Sequence, residues 1–202
     1  MMPAKNEDLH GNAPDDCLVA LLIVDMINDF EFPGGAELFS QANPAAHNIS
    51  ALKQRAAHSC IPVIYVNDNF GKWRSSFQDQ LRHCLDDHVR GEPIARLLKP
   101  AREDYFVLKA KHSAFYATPL DLLLTYLKAR TLIITGVSSD VCILFSASDA
   151  YMRDYKLFVP GDCTAAMTQE ARTQSLEQMR TTLDADIRAS EQLDLAALKQ
   201  SG

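Results

Sequence analysis

The chain has 202 residues, of which 47% are hydrophobic and 23% charged, with a formal net charge of -6. That length suits one domain, long enough to bury about 70% of its unfolded surface, and the acidic balance gives no electrostatic invitation to nucleic acid or an anionic membrane. The five cysteines (Cys17, Cys60, Cys84, Cys142 and Cys163) are odd in number and form no Cys-x-x-Cys pair, so neither a disulfide framework nor a zinc ribbon is suggested and a reducing compartment is expected.

The N-terminus is polar, lacks an apolar h-region and reads as a flexible tail over residues 1–16, ahead of one domain over 17–202. No apolar run is long enough to span a membrane, and a cytoplasmic protein is expected. Cys17 to Asp25 (CLVALLIVD) is a continuous apolar run closed by a carboxylate, the pattern of a strand covered on both faces. Met26 to Pro44 holds several Pro, Gly and Asn residues and reads as a loop, followed by a helix from Ala45 to Ser59. Cys60 to Asn67 is the second strand, and the loop from Asp68 to Ser76 carries the single tryptophan, Trp73, beside Arg74. Helical segments are expected over Phe77 to Val89 and Glu92 to Pro100, and a third strand over Tyr105 to Lys109. Thr118 then caps a helix from Pro119 to Ala129, with Pro119 at the first helical position, where its missing N–H costs no bond.

The fourth strand, Thr131 to Thr135, leads through Gly136 and a Ser138-Ser139-Asp140 cluster into a helix with Cys142 in its first turn. Val141, Leu144, Phe145, Ser148 and Met152 form the stripe expected to face the sheet. The helix N-terminus favours a thiolate at Cys142, because its partial positive charge stabilises the anion. Lys156 to Pro160 is the fifth strand, Thr168 to Leu183 a helix, Asp186 to Ala189 a short sixth strand and Glu191 to Gln200 a closing helix. Strands alternating with helices throughout give an α/β fold, a three-layer α/β/α arrangement around a parallel sheet.

Ligands of such sheets bind outside the carboxyl ends of the strands. Asp25 ends the first strand, Lys109 ends the third, and Cys142 opens the helix after the fourth. A carboxylate, an ammonium and a thiol on one edge supply a nucleophile, its base and a cation. Phe30, Trp73, Phe115 and Phe145 are expected to line the pocket, with Arg74 a candidate carboxylate clamp.

Over nearly its whole length the chain resembles the isochorismatase-like cysteine hydrolases, in LLIVDMINDF around Asp25, FVLKAKHSAFYATPL around Lys109 and LIITGVSSDVCILFSASDA around Cys142. The resemblance implies a catalytic triad of Asp25, Lys109 and Cys142 and a cis peptide between Val137 and Ser138. It also implies an oxyanion hole from the backbone N–H groups of Ser138 and Cys142, a six-stranded sheet in the order 3-2-1-4-5-6, and a homo-oligomer, dimer or tetramer. The activity implied is hydrolysis of a C–N bond in a small amide or carbamoyl compound through a thioester. Asp25 accepts the thiol proton, returns it to the leaving group and then activates water. Nicotinamidases of this type hold a metal with an Asp-x-His, whereas the matching positions here are Asp68, Asn69 and Phe70; His83 and His88 make no three-ligand cluster, so no metal and no cofactor are expected. A non-catalytic ligand-binding or regulatory homologue is the alternative, as is hydrolysis of a vinyl ether of the isochorismate type, which Cys142 argues against. A nucleotide-binding domain is disfavoured because no G-x-G-x-x-G or Walker-type loop follows a strand.

Overall fold

The strands of this chain are apolar at consecutive positions because both faces of the sheet are covered. In β1 (Val19–Val24), Val19, Leu21 and Ile23 enter the core on one face, while Ala20, Leu22 and Val24 enter the core on the other. The same division runs through β2 (Val63–Asp68) and β4 (Thr131–Val137), where Tyr65 and Ile133 face one way and Ile64, Val66, Leu132 and Ile134 the other.

The structure is a computed structural model that describes residues 16–69 and 76–201. The expected tail, apart from Asp16, lies outside the described residues, as do Trp73 and Arg74. The strands, completed by β3 (Tyr105–Lys109), β5 (Lys156–Phe158) and β6 (Thr164–Ala165), form a six-stranded sheet in the order β3-β2-β1-β4-β5, with parallel pairing throughout. The two-residue β6 pairs with Gly136 and Val137, beyond the point where β5 stops. The sixth strand expected at Asp186 to Ala189 is a single parallel bridge from Asp186 to Phe158, on the outer side of β5.

One face of the sheet is covered by α1 (Gly35–His58), α2 (Phe77–Asp86), α3 (Glu92–Leu97) and α7 (Leu195–Ser201), the other by α4 (Leu120–Tyr126), α5 (Leu144–Tyr151) and α6 (Gln169–Thr182). The first helix departs from expectation: it begins at Gly35, ten residues before Ala45, and runs through Pro44. Pro44 is exposed, so the carbonyl it leaves unpaired faces water, while Leu38, Ala42, Ala45, Ala46, Ile49, Leu52 and Ala56 supply an unbroken buried face. Thr118 Oγ1 accepts from the Leu120 N–H at 3.2 Å, and Pro119 stands at the cap rather than inside the helix. Thr168 caps α6 through the Ala171 N–H at 3.1 Å.

The Cys142 segment also differs from the sequence reading. Ser139–Ile143 form a π-helical turn that runs into α5. The side chains that face the sheet are Ile143, Ser146, Ala147 and Ala150, so the expected stripe of Val141, Leu144, Phe145, Ser148 and Met152 is rotated away from it. Small residues at 146, 147 and 150 let the helix approach closely; Phe145 and Met152 are 53% and 69% exposed.

Candidate active site

Parallel pairing places the carboxyl ends of β1, β2, β3 and β4 on one edge. The register sets Asp68 directly opposite Lys109 across β2 and β3, and Gly136 opposite Val24, one residue before Asp25. Gly136 has φ 116°, and a Cβ there would lie 2.0 Å from the Val24 carbonyl oxygen, so only glycine lets β4 pass this close to the start of the site. Asp25 itself leaves the strand with φ 54°, a left-handed conformation that aspartate tolerates better than most residues.

This geometry brings Asp25, Lys109 and Cys142 together. The Lys109 Nζ donates to Asp25 Oδ2 at 2.8 Å and to Cys142 Sγ at 3.5 Å, and lies 3.6 Å from Asp68 Oδ2. The second Asp25 oxygen, Oδ1, accepts the Asp68 backbone N–H at 2.7 Å. Lys109 is 1% and Asp25 5% exposed, and Cys142 is half-buried.

Burial and the neighbouring charges together shift the protonation of these groups. It drives the Asp25 carboxyl above the ordinary carboxylate range against the pull of Lys109. Lys109 is held above its ordinary value: burial opposes its charge, but the Asp25 carboxylate beside it outweighs that burial. Burial first, and the Asp25 carboxylate second, push the Cys142 thiol up to about 12, with Lys109 pulling the other way. Burial and Asp25 thus oppose the thiolate that the helix N-terminus and Lys109 favour. Two carboxylates already face one buried ammonium, and a third anion at Sγ is disfavoured until its proton has somewhere to go.

The Val137–Ser138 peptide is cis. Ser138 stands at the cap position in an extended conformation, and its hydroxyl donates to the Asp140 carboxylate. Its carbonyl accepts the N–H groups of Val141 at 3.1 Å and Ile143 at 3.0 Å, passing over the N–H of Cys142 between them. The Ser139 hydroxyl is fully buried and has no hydrogen-bond partner among the described residues.

The aromatic residues expected around the pocket divide. Phe145 stands exposed one turn beyond Cys142, with its ring 5.8 Å from that of His112. Phe30 is fully buried: its N–H is held by the Asn28 side chain, and its ring packs between Phe32 and Phe39. Phe115 is 3% exposed in the opposite core, with the Arg153 guanidinium over its ring and Tyr155 beside it. Phe30 and Phe115 thus belong to the two cores on opposite faces of the sheet. Trp73 and Arg74 lie outside the described residues.

Two residues of the site went unassigned in the sequence. Asp68 is the last residue of β2, one residue beyond the strand expected from the sequence, and Asp25 directly follows β1. His112 lies three residues past Lys109, on the loop leaving the same edge, with Nδ1 4.0 Å from Cys142 Sγ. Among the described residues, no group of three potential metal ligands converges, and no helix is long and apolar enough to cross a membrane.

Residues 19–192 match the family model described as the isochorismatase domain. The chain belongs to the isochorismatase family. An isochorismatase family protein of Bacillus subtilis, YaaI, described as uncharacterized, is 41% identical over 86% of this chain and 95% of its own length. A second relative, the ureidoacrylate amidohydrolase RutB of Methylorubrum extorquens, is 39% identical over 81% of this chain and 75% of its own. The crystal structure of a family member from Desulfovibrio vulgaris superposes with a TM-score of 0.72 at 26% identity, covering 88% of this chain and 97% of that one. The fold is that of the isochorismatase-family hydrolases, whose six-stranded sheet and helical layers this chain shares.

Proposed function

We propose that this family member is a metal-independent cysteine amidohydrolase that cleaves a C–N bond of a small amide or carbamoyl compound. The observation that carries the reading is the bridging of Asp25 and Cys142 by Lys109, at 2.8 and 3.5 Å, on the edge of the sheet where ligands bind. The similarity to a ureidoacrylate amidohydrolase supports the amide class.

Cys142 is the nucleophile and Asp25 the base that takes its proton as the sulfur approaches the substrate carbonyl. Lys109 favours the ionised form of Asp25 against burial and holds its carboxylate by a 2.8 Å hydrogen bond. As the thioester forms, negative charge gathers on the carbonyl oxygen, and the N–H groups of Ser138 and Cys142 are the donors that receive it. The sulfur's own proton is then on Asp25, which is 5% exposed. Asp68 is the one carboxylate at the position where a metal site would stand, with Asn69 and Phe70 beside it, and this donor set does not suit a divalent transition metal.

The test is ammonia release across nicotinamide, N-carbamoyl, ureidoacrylate-type and maleamate-type amides, with and without chelation, followed by intact-protein mass spectrometry. The expected result is turnover insensitive to chelator and abolished in Cys142→Ala, with a rate reduced about 10²- to 10⁴-fold in Asp25→Asn. An acyl adduct on a residue other than Cys142 would overturn the assignment.

A further inference from the structure

Lys109 and Cys142 belong to segments that leave different strands, β3 and β4, and neither segment alone sets the distance between ammonium and sulfur. The helix that follows Cys142 supplies a tie. The Ser146 hydroxyl accepts the Ala114 N–H at 2.9 Å and donates its own proton to the Cys142 carbonyl at 2.6 Å. One turn further along α5, the Asp149 carboxylate accepts the Ser113 hydroxyl.

Ala114 is a fixed point of the loop that leaves Lys109. Its methyl is buried in the core, and its carbonyl accepts the Thr118 hydroxyl at 2.6 Å. Ser146 is 0% exposed, and its one hydroxyl makes both bonds, as donor and as acceptor. A path of two hydrogen bonds therefore runs from the Lys109 loop, through Ser146, to the backbone of the residue that carries the thiol. At the far end of that path Lys109 Nζ stands 3.5 Å from Sγ.

We propose that Ser146 is a positioning residue for the nucleophile: by joining Ala114 to the Cys142 carbonyl, it sets the separation between Sγ and the Lys109 ammonium on which acylation depends. This rests on the reading of Cys142 as the nucleophile. The charged and titratable groups around Sγ are Asp25 after β1, Lys109 on β3 with Asp68 of β2 behind it, and His112 on the loop, 4.0 Å away. Asp140, on the turn itself, accepts the Ser138 hydroxyl. Burial and then Asp25 oppose the thiolate, and Lys109 favours it. Loosening the tie costs the sulfur its hydrogen bond to Lys109, which weakens steeply with distance, while burial and the longer-range Asp25 charge persist.

The experiment compares wild type, Ser146→Ala, Ser146→Thr and Ser148→Ala, with Cys142→Ala as the blank. It reads the p-nitrophenolate burst from p-nitrophenyl acetate, iodoacetamide labelling of Cys142 from pH 7 to 9, and the melting temperature. Ser148 donates to the Leu144 carbonyl at 2.8 Å, a bond of the same kind that stays within the helix, so its variant should keep both rates within about twofold of wild type. Ser146→Ala should acylate about tenfold more slowly, and should label about threefold more slowly throughout this pH range, where labelling follows the thiolate fraction. Threonine retains the hydroxyl, so Ser146→Thr should return both rates to within about threefold of wild type. Once Lys109→Met has removed the cation, adding Ser146→Ala should change labelling by less than about twofold. A Ser146→Ala protein that melts lower but acylates and labels as wild type would make the serine structural only and overturn the proposal. A labelling loss that persists undiminished beside Lys109→Met would also overturn it. Should Ser146→Thr fail to fold, the alanine variant and the Lys109→Met pair decide between these outcomes. A burst that survives unchanged in Cys142→Ala would overturn the nucleophile reading instead, and the labelling comparison would still judge Ser146.

Discussion

Lys109 is 1% exposed and faces Asp25, Asp68 and Cys142 within 3.6 Å, so one ammonium offsets two carboxylates at the bottom of the crevice. With the thiol pushed up to about 12 by burial and by Asp25, Cys142 is protonated at neutral pH and ionises only as pH rises toward that value. Cys60 is exposed, whereas Cys17, Cys84 and Cys163 are buried. Iodoacetamide at pH 7 should therefore label Cys60 first, and labelling of Cys142 should accelerate steadily with pH. In Lys109→Ala the pull that lowers the thiol pKa is gone, so Cys142 labelling should slow further. Peptide mapping that finds Cys142 labelled fastest at pH 7 would show that the sulfur rests as a thiolate, and an equal rate in Lys109→Ala would show that the ammonium does not lower the thiol pKa. The sequence placed Asp25, Lys109 and Cys142 because each stands where a strand ends or a helix begins, and position along the chain carries that information. It did not carry their protonation, which depends on how deeply the sheet edge is buried and on Asp68, a neighbour that only the β2–β3 register supplies. Nor did it carry the direction of Phe30 and Phe115, whose rings are turned inward by local backbone and core contacts.

At the scale of elements, the strands were legible within a few residues, since a two-faced strand needs an apolar residue at every position and few other segments do. The first helix was not, because Gly34, Gly35 and Pro44 read as breakers when their exposure is unknown. The turn that presents Cys142 was equally hidden: a π turn and a helix with the same residues share the same composition, and the rotation between them decides which side chains meet the sheet. Gly136 is the residue on which that junction depends. Gly136→Ala adds a methyl 2.0 Å from the Val24 carbonyl oxygen at φ 116°, so β4 must separate from β1 just where Asp25 begins. We expect a loss of about 3 kcal/mol or more in unfolding free energy, with activity falling even below the melting transition as Asp25 and Cys142 move apart. Denaturant midpoints and kcat/KM measured together check this; a Gly136→Ala protein of wild-type stability would mean that the strands have slack here.

For the whole molecule, the alternation of side chains along β1, β2 and β4 has a thermodynamic consequence. The two cores share their strands, so neither helical layer can leave without exposing residues of the strands that hold the other. Ile49, on α1, and Leu124, on α4, are both fully buried on opposite sides of the sheet. Truncating either to alanine removes apolar contacts and leaves a cavity, at a cost of about 2–5 kcal/mol. For a chain of this size each kcal/mol moves Tm by about 2–4 °C, so each variant should melt several degrees below wild type. If the sheet couples the layers, Ile49→Ala and Leu124→Ala will each shift a single transition, seen together by far-UV circular dichroism, tryptophan fluorescence and residual activity. The active site should be lost in that same transition, since Asp25, Lys109 and Cys142 hang from three different strands and survive only while β1, β3 and β4 remain paired. Two separate transitions, with Leu124→Ala moving one and Ile49→Ala the other, would show instead that the layers unfold independently and that the sheet does not bind them into one unit.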